Sequence, residues 1–171
     1  MRDTIFLIGF MGAGKSTIAE CLKQQYGRRV VEMDQRIEEQ EQMPISRIFE
    51  EKGEEYFREL ETELLRELQK DPNLVVSCGG GTPLRSCNME LMRESGRIFF
   101  LTASPETVYE RVKDSHNRPL LEKNKNLPFI RSLMEERQER YEAAADYLVS
   151  TDGRKAEEIC REIVGKMAEI E

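Results

Sequence analysis

The sequence predicts an α/β fold with a parallel sheet that is covered by helices on both faces. Five short apolar segments, rich in β-branched residues, alternate with amphipathic stretches of helical periodicity along the 171 residues. A glycine-rich motif joins the first apolar segment directly to the first helical stretch. Such alternation is typical of βαβ units, whose strands pair in parallel and whose helices lie on the sheet faces.

Each element follows from its own pattern of apolar residues. Strands are predicted at residues 4–8, 29–33, 74–78, 97–101 and 147–150. Helices are predicted at residues 15–26, 34–40, 46–51, 54–69, 86–94, 105–113, 128–144 and 155–170. Ligands of such sheets bind beyond the carboxyl ends of the strands, so the loops after the first four strands are expected to carry the site.

Composition narrows the class of protein. The length predicts one domain over residues 1–171. A formal net charge of −7 argues against general attraction to nucleic acid or to an anionic membrane. The four cysteines have neither disulfide-framework nor metal-ligand spacing, and no secretory or membrane-spanning segment is evident. We therefore expect reduced thiols and a cytoplasmic protein.

The glycine-rich motif predicts a binding site for nucleotide phosphates. Gly9, Gly14, Lys15 and Ser16 match the spacing G-x-x-x-x-G-K-[ST] within a loop over residues 9–17. In such loops backbone N–H groups surround phosphate oxygens at the positive end of a helix. Lys15 can reach the β- and γ-phosphates, and the Ser16 hydroxyl can ligate Mg²⁺. A nucleotide with Mg²⁺ is thus the expected ligand.

Two carboxylates follow the second predicted strand. Glu32 and Asp34 are two residues apart, so in extended chain they lie on the same side. At a strand end near a phosphate loop they could serve Mg²⁺ and a substrate hydroxyl. The alternative for Asp34 is that it only caps the following helix, which is a common use of aspartate.

Two arginines have less specific signals. Arg58 lies on a predicted helix with Glu61 three residues later, and by itself this pattern is most often a surface ion pair. Arg137 shares one helical face with Ile130 and Tyr141, where an unpaired charge would be unfavourable. Arg137 therefore needs an anionic partner, which is either an internal carboxylate or a ligand.

Two further segments are unusual in composition. Three consecutive glycines at residues 79–81 indicate a close approach of the backbone to another group. Residues 114–127 are polar and lack an apolar pattern, which favours a lid over the site rather than a disordered excursion. His116, the one histidine, is expected to be a solvated residue of that segment.

Together these motifs resemble the shikimate kinase family from end to end. The resemblance is carried by G-F-M-G-A-G-K-S at 9–16, E-M-D at 32–34, G-E-x-x-F-R-x-x-E at 53–61, G-G-G at 79–81, R-P-L-L at 118–121 and R-x-x-x-Y at 137–141. It implies a P-loop NTPase three-layer sandwich of the nucleoside monophosphate kinase-like group, whose five-stranded parallel sheet has the order 2-3-1-4-5. The family usually has aspartate at both acidic positions, whereas this chain has Glu32.

The resemblance also implies an activity and a set of site residues. The activity is transfer of the γ-phosphoryl group of ATP to the 3-hydroxyl of shikimate, in aromatic amino-acid biosynthesis, by a protein expected to be a monomer. The implied catalytic residues are Lys15, Asp34 and Arg118. The implied ATP ligands are Gly12, Ala13, Gly14, Lys15, Ser16, Thr17, Arg111, Arg118 and Arg154. The implied shikimate ligands, in a region that begins at about 34–62, are Asp34, Arg58, Glu61, Gly79, Gly80, Gly81 and Arg137. Ser16, and Glu32 through water, are the implied Mg²⁺ ligands.

Three alternative functions remain. A related small-molecule kinase such as a gluconate kinase would share the phosphate loop but differ in substrate. A nucleotide-operated switch of the GTPase class is disfavoured, because Asn124-Lys125-Asn126 is followed by Leu127 and not by the aspartate that reads guanine. A catalytically inactive relative is disfavoured because Lys15, Asp34 and Arg118 are all present.

Overall fold

A computed structural model describes residues 3–113 and 126–169. Its strands are β1 (Thr4–Ile8), β2 (Arg29–Glu32), β3 (Leu74–Ser77), β4 (Gly96–Thr102) and β5 (Tyr147–Ser150). Its helices are α1 (Lys15–Tyr26), α2 (Met33–Glu41), α3 (Ile45–Lys52), α4 (Glu54–Leu68), α5 (Ser86–Ser95), α6 (Pro105–Val112), α7 (Leu127–Ala144) and α8 (Ala156–Ala168). A short 3-10 helix, Thr82–Leu84, lies between β3 and α5.

The five strands form one parallel sheet of order β2-β3-β1-β4-β5. This order confirms both the fold class and the strand order implied by the family resemblance. β1 is the central strand. Because all five strands are parallel, the loops that follow β1, β2, β3 and β4 open at the same edge of the sheet.

Each face of the sheet buries its own apolar core. Phe6 and Ile8 of β1 point to the face covered by helices α2 to α7. Ile5 and Leu7 point to the opposite face, which α1 and α8 cover. Because successive side chains of a strand alternate between faces, a strand that is covered on both sides has apolar residues at successive positions, as Ile5 to Ile8 of β1 do.

The differences from the predicted elements lie at their ends. β2 ends at Glu32 and α2 begins at Met33, one residue earlier than the pattern predicted. β4 begins one residue early, at Gly96, because Gly96 pairs with Thr4 of β1. The 3-10 helix was not predicted, because three residues carry no periodic signal.

In the described parts of the chain no helix combines the length and apolar character needed to cross a bilayer.

Among the described glycines, Gly96 in β4 has the least room for a side chain. A Cβ there would overlap the backbone of Thr4 and lie 3.0 Å from the ring of Phe6. We expect Gly96→Ala to lower the free energy of unfolding, measured by urea denaturation, by about 1–3 kcal/mol, as overpacking does.

Gly165 supplies the matched control, because it lies in α8 with no atom within 4 Å of an added Cβ. Gly165→Ala should raise the free energy of unfolding by about 0.5–1 kcal/mol, since alanine is the better helix former. Equal effects of the two substitutions would contradict the tight strand pairing at Gly96.

Candidate active site

The phosphate-binding loop joins β1 to α1, and its path requires glycine. Gly9, Gly12 and Gly14 have φ angles of 149°, 85° and 101°, which side chains other than hydrogen rarely permit. Gly9 also passes so close to β4 that a Cβ would lie 2.6 Å from the carbonyl oxygen of Leu101. The glycine spacing in the sequence is therefore a property of the backbone.

Lys15 begins α1 and reaches back across this loop. Its Nζ donates hydrogen bonds to the carbonyl oxygens of Gly9, at 2.6 Å, and Phe10, at 3.3 Å. The first backbone N–H groups of α1 have no partner within the helix, and the helix dipole adds partial positive charge there. An ammonium group and a helix N-terminus are thus combined in one loop.

A cavity of about 330 Å³ opens beside the loop. It is lined by Gly12, Ala13, Gly14, Lys15, Ser16, Thr17, Ile18, Arg111, Thr151, Arg154, Ala156 and Ile159. Eight of these are predicted ATP ligands, and the remaining predicted ligand, Arg118, lies outside the described residues. Ile18, Ala156 and Ile159 were not predicted, because apolar residues of an amphipathic helix give no signal that they line a cavity.

The two cavity arginines are held by different partners. Arg111 donates from Nη1 to the carbonyl oxygen of Gly12 at 2.8 Å. Arg154 donates to the carbonyl oxygen of Ser150 at 2.8 Å and to Glu162 at 3.0 Å. Both guanidinium groups therefore have fixed positions at the cavity wall, and such groups can stack on a planar base.

The triple glycine lies on the other side of the phosphate loop and brings the predicted acid-binding residues together. A Cβ at Gly79 would lie 3.0 Å from both Asp34 Oδ1 and Glu61 Oε2. A Cβ at Gly81 would overlap the Arg58 guanidinium, and the remaining glycine faces a second arginine. Since none of the three has a positive φ, they are needed for close approach and not for backbone conformation.

Arg58 and Glu61 form a buried ion pair on α4. Arg58 Nη1 donates to Glu61 Oε1 at 2.7 Å, and the two side chains are 15% and 0% exposed. The interpretation of this pair as a surface contact is wrong, because α4 turns it toward Gly81 and away from solvent. Glu54 adds a second, more exposed contact to Arg58 at 3.2 Å.

The buried position of Glu61 raises the pKa of its carboxyl. The charge of Arg58 and a hydrogen bond from Thr82 lower this pKa, and the charge of Asp34 raises it further. Arg58 supplies the compensating positive charge, so the pair has no net charge where it packs against the glycine backbone.

Arg137 is the second arginine at the triple glycine. Its side chain lies on the buried face of α7, its Nη1 would be 3.4 Å from a Cβ at Gly80, and its Cζ lies 5.9 Å from the Phe10 ring centre. Nη1 is buried without a hydrogen-bond partner, and in the described part of the chain no carboxylate pairs with Arg137. An internal carboxylate is therefore not its partner there, which leaves a donor directed at the site.

Tyr141 lies one turn further along α7 and secures the glycine backbone. Its hydroxyl donates to the carbonyl oxygen of Gly80, and its ring packs on Phe100 with centroids 5.2 Å apart. Burial raises the pKa of this hydroxyl, against the opposing charge of Arg137. The sequence pattern had indicated only a core residue at this position.

The two predicted carboxylates lie in different surroundings. Asp34 is the second residue of α2, and Glu32 is the residue at the cap position, so the interpretation of Asp34 as a helix cap is wrong. The expected strand alternation between them is also wrong, because β2 ends at Glu32. Glu32 lines an open groove of about 210 Å³ along α2, whereas Asp34 faces Gly79.

Of the two predicted Mg²⁺ ligands, Ser16 lines the nucleotide cavity, whereas Glu32 lines a different groove. Ser16 lies in the first turn of α1 and lines the cavity. Among residues 3–113 and 126–169, no group of three or more His, Cys, Asp or Glu side chains could enclose a metal. Mg²⁺ suits such a site, since it commonly takes one or two protein ligands together with substrate phosphates and water.

The predicted lid over residues 114–127 falls almost entirely outside the described residues, as do Arg118 and His116. At its far end Asn126 caps α7, with its Oδ1 accepting a hydrogen bond from the Phe129 backbone at 2.9 Å. Residue 127 therefore belongs to the helix and not to the preceding segment.

The chain is similar in sequence and fold to known shikimate kinases. The shikimate kinase family model matches residues 11–168. The shikimate kinase of Persephonella marina is 45% identical over 167 residues, which cover 98% of this chain and 99% of that protein. A solved shikimate kinase from Acinetobacter baumannii in complex with shikimate has a TM-score of 0.92 at 31% identity, and the match covers 100% of this chain and 96% of the other.

A gluconokinase structure from Sinorhizobium meliloti has a TM-score of 0.60 at 18% identity, with 99% and 95% of the two chains covered. At that identity the likeness concerns the fold alone. The family match spans most of the sequence, and the relative from Persephonella covers nearly all of it. This chain belongs to the shikimate kinase family.

Proposed function

We propose that this protein transfers the γ-phosphoryl group of ATP to the 3-hydroxyl of shikimate, which gives shikimate 3-phosphate and ADP. This is a step in the biosynthesis of chorismate and the aromatic amino acids. The observation that carries the proposal is the convergence of Arg58, Arg137 and Asp34 on one glycine backbone, directly behind the phosphate loop. Together they provide two cations for a small acid and one carboxylate for its hydroxyl.

The phosphate loop lies between the two substrate sites and contributes residues to both. Its residues 12–17 line the nucleotide cavity. Its residues Phe10 and Met11 lie against the other site: the Phe10 ring faces Arg137, and Met11 Cε would be 3.9 Å from a Cβ at Gly80. One short loop thus positions a phosphoryl donor and an acceptor on its two sides, which is the main requirement of direct transfer.

The acid site selects a carboxylate by geometry as well as charge. A guanidinium is planar and can donate two parallel hydrogen bonds to a carboxylate. Arg58 is oriented by Glu61, whereas Arg137 has a buried donor without a partner. The shikimate carboxylate supplies the missing acceptor, and the backbone N–H groups of Gly79, Gly80 and Gly81 fix the ring beside it.

Asp34 and Lys15 act on the reacting groups. The Asp34 carboxylate accepts a hydrogen bond from the 3-hydroxyl, orients it toward the γ-phosphate and takes its proton as the new bond forms. Lys15 stabilises the negative charge of the transferring phosphoryl group. Little covalent chemistry is required of the protein, so positioning and charge neutralisation account for most of the acceleration.

The remaining assignments concern ATP and its metal. Gly12 to Thr17 bind the phosphates, and Arg111 and Arg154 flank the base. The Ser16 hydroxyl would hold Mg²⁺, with Glu32 acting through water, and the ion supplies charge neutralisation to the phosphates. Arg118, outside the described residues, is assigned to the γ-phosphate, and the segment that contains it to the exclusion of water. The active unit is the monomer.

The assay that tests the function measures ADP release with ATP and shikimate, and compares shikimate with gluconate and ATP with GTP. We expect turnover with shikimate and ATP only. ATP binding without shikimate turnover would refute the assignment. Equal affinity for GTP and ATP would favour a nucleotide-operated switch instead.

Lys15→Ala removes the cation from the phosphate loop. The turnover number should fall by about 10²–10³, since loss of one preorganised donor to the transition state has an effect of this size. The fold, followed by circular dichroism, should not change. Lys23→Ala on the same helix is the control, because that side chain is 59% exposed. Undiminished turnover in Lys15→Ala would contradict the assignment of the phosphate loop.

Asp34→Asn keeps the size of the side chain but removes its charge and basicity. We expect kcat to fall by about 10²–10⁴, the usual contribution of general acid–base catalysis. ATP affinity, measured by calorimetry, should change less than about twofold because Asp34 does not line the nucleotide cavity. Asp71→Asn, in the exposed loop before β3, is the control. Loss of ATP affinity with normal kcat would assign Asp34 to the nucleotide.

Arg137→Ala removes the unpartnered donor. Shikimate affinity should fall by about 2–5 kcal/mol, as when one side of a paired charged contact is truncated, while ATP affinity is retained. Titration calorimetry with each substrate separates the two. Arg140→Ala, on the exposed face of the same helix, should leave both affinities unaltered. Unchanged shikimate affinity in Arg137→Ala would exclude Arg137 from the acid site.

A further inference from the structure

A buried polar cluster lies behind the acid site and connects it to the interior. Its members are Glu61 and Thr62 of α4, Thr82 of the 3-10 helix and Asn88 of α5, each no more than 2% exposed. We call these four residues the Thr82 cluster. None of the three uncharged members has a role in the transfer proposed above, and buried polar groups of this kind are retained only when they are hydrogen-bonded.

Thr82 lies at the centre of the cluster. Its hydroxyl donates to Glu61 Oε2, while Glu61 Oε1 accepts from Arg58 at 2.7 Å. The two oxygens of this carboxylate are therefore occupied by different partners. A carboxylate held at both oxygens cannot rotate, so the guanidinium that pairs with it keeps one orientation toward the triple glycine.

Thr82 is itself held from the other side. Its carbonyl oxygen accepts a hydrogen bond from Asn88 Nδ2 at 2.9 Å, and Asn88 Oδ1 accepts one from the Thr62 hydroxyl at 2.7 Å. The backbone N–H of Thr82 donates to the carbonyl oxygen of Gly79 at 3.2 Å. Thr82 thus links α4 and α5 to the glycine backbone that forms the floor of the acid site.

We propose that Thr82 is a positioning residue for substrate binding: its hydroxyl, placed by Asn88, fixes the Glu61 carboxylate and through it directs Arg58 at the substrate carboxylate. The inference rests on the proposed function, because it takes Arg58 to bind shikimate. It goes beyond that function by assigning part of the shikimate affinity to a hydroxyl that does not touch the substrate.

The electrostatics of Glu61 agree with this role. Burial raises the pKa of the carboxyl and the charge of Asp34, from α2, adds to the rise, whereas Arg58 and the Thr82 hydroxyl oppose it. The charge of Glu61 also contributes to raising the pKa of Tyr141, on α7, and of Cys78, after β3. Removing the Thr82 hydroxyl removes a hydrogen bond to the ionised form, so the pKa of Glu61 rises further.

The first experiment compares Thr82→Val with Thr82→Ser in steady-state kinetics. Loss of a buried hydrogen bond to a charged group predicts that Thr82→Val raises the KM for shikimate about tenfold or more, with the KM for ATP and kcat changed less than about twofold. Thr82→Ser keeps the hydroxyl and should restore the KM for shikimate. Thr4→Val, another buried threonine, at the far end of β1, is the control.

A double variant tests whether Thr82 acts through Glu61. Glu61→Gln should raise the KM for shikimate by itself, and adding Thr82→Val should then change it less than about twofold, because the charge of Glu61 that orients Arg58 is already gone. If Thr82→Val alone does not fold, Thr82→Ala, which also removes the hydroxyl, takes its place in both the single and the double variant. Multiplicative effects would overturn the proposal.

A measurement without turnover separates this inference from the proposed function. Titration of the ¹³C-labelled Glu61 carboxyl by NMR should give a higher pKa in Thr82→Val than in the natural protein or Thr4→Val. Absence of shikimate turnover in the natural protein would refute the function alone, and the NMR titration would still decide the Thr82–Glu61 link. Turnover with an unchanged KM for shikimate in folded Thr82→Val, or an unchanged Glu61 pKa, would overturn the role of Thr82.

Discussion

The arrangement of this protein depends on the close approach of charged side chains to the triple glycine after β3. Without side chains at Gly79, Gly80 and Gly81, two guanidinium groups and two carboxyl groups can lie against one segment of backbone. A methyl group at Gly81 would occupy the space of the Arg58 guanidinium. The absence of side chains at three consecutive positions therefore makes room for these charged groups.

The cations of the site are held in different ways in this protein, whose formal net charge is −7. Lys15 is held across the phosphate loop by carbonyl oxygens, and Arg58 is neutralised by a buried glutamate. Arg137 is buried, and among the described residues no carboxylate pairs with it, which is unfavourable for a charged group. A bound carboxylate would pair with this donor and offset the cost of burying it.

Sequence reasoning was most successful where the pattern is local. β1 and α1 were predicted to the residue, because an apolar run and helical periodicity are each set by a few neighbouring positions. It failed at the junction of β2 and α2, where a single residue decides whether Asp34 continues the strand or enters the helix. The Arg58–Glu61 pair was misjudged as a surface contact, because spacing on a helix does not show which neighbouring elements cover it.

The sequence by itself determined the fold class, the nucleotide loop and, through its order of motifs, the family. Only the tertiary structure decided that Arg137 has no carboxylate partner in the described chain, that Asp34 and Glu32 face different surroundings, and that Thr82 joins Glu61. The reason is physical: loop conformation and helix periodicity depend on neighbours in the chain. The pairing of buried charges depends instead on residues far apart in sequence, which packing alone brings together.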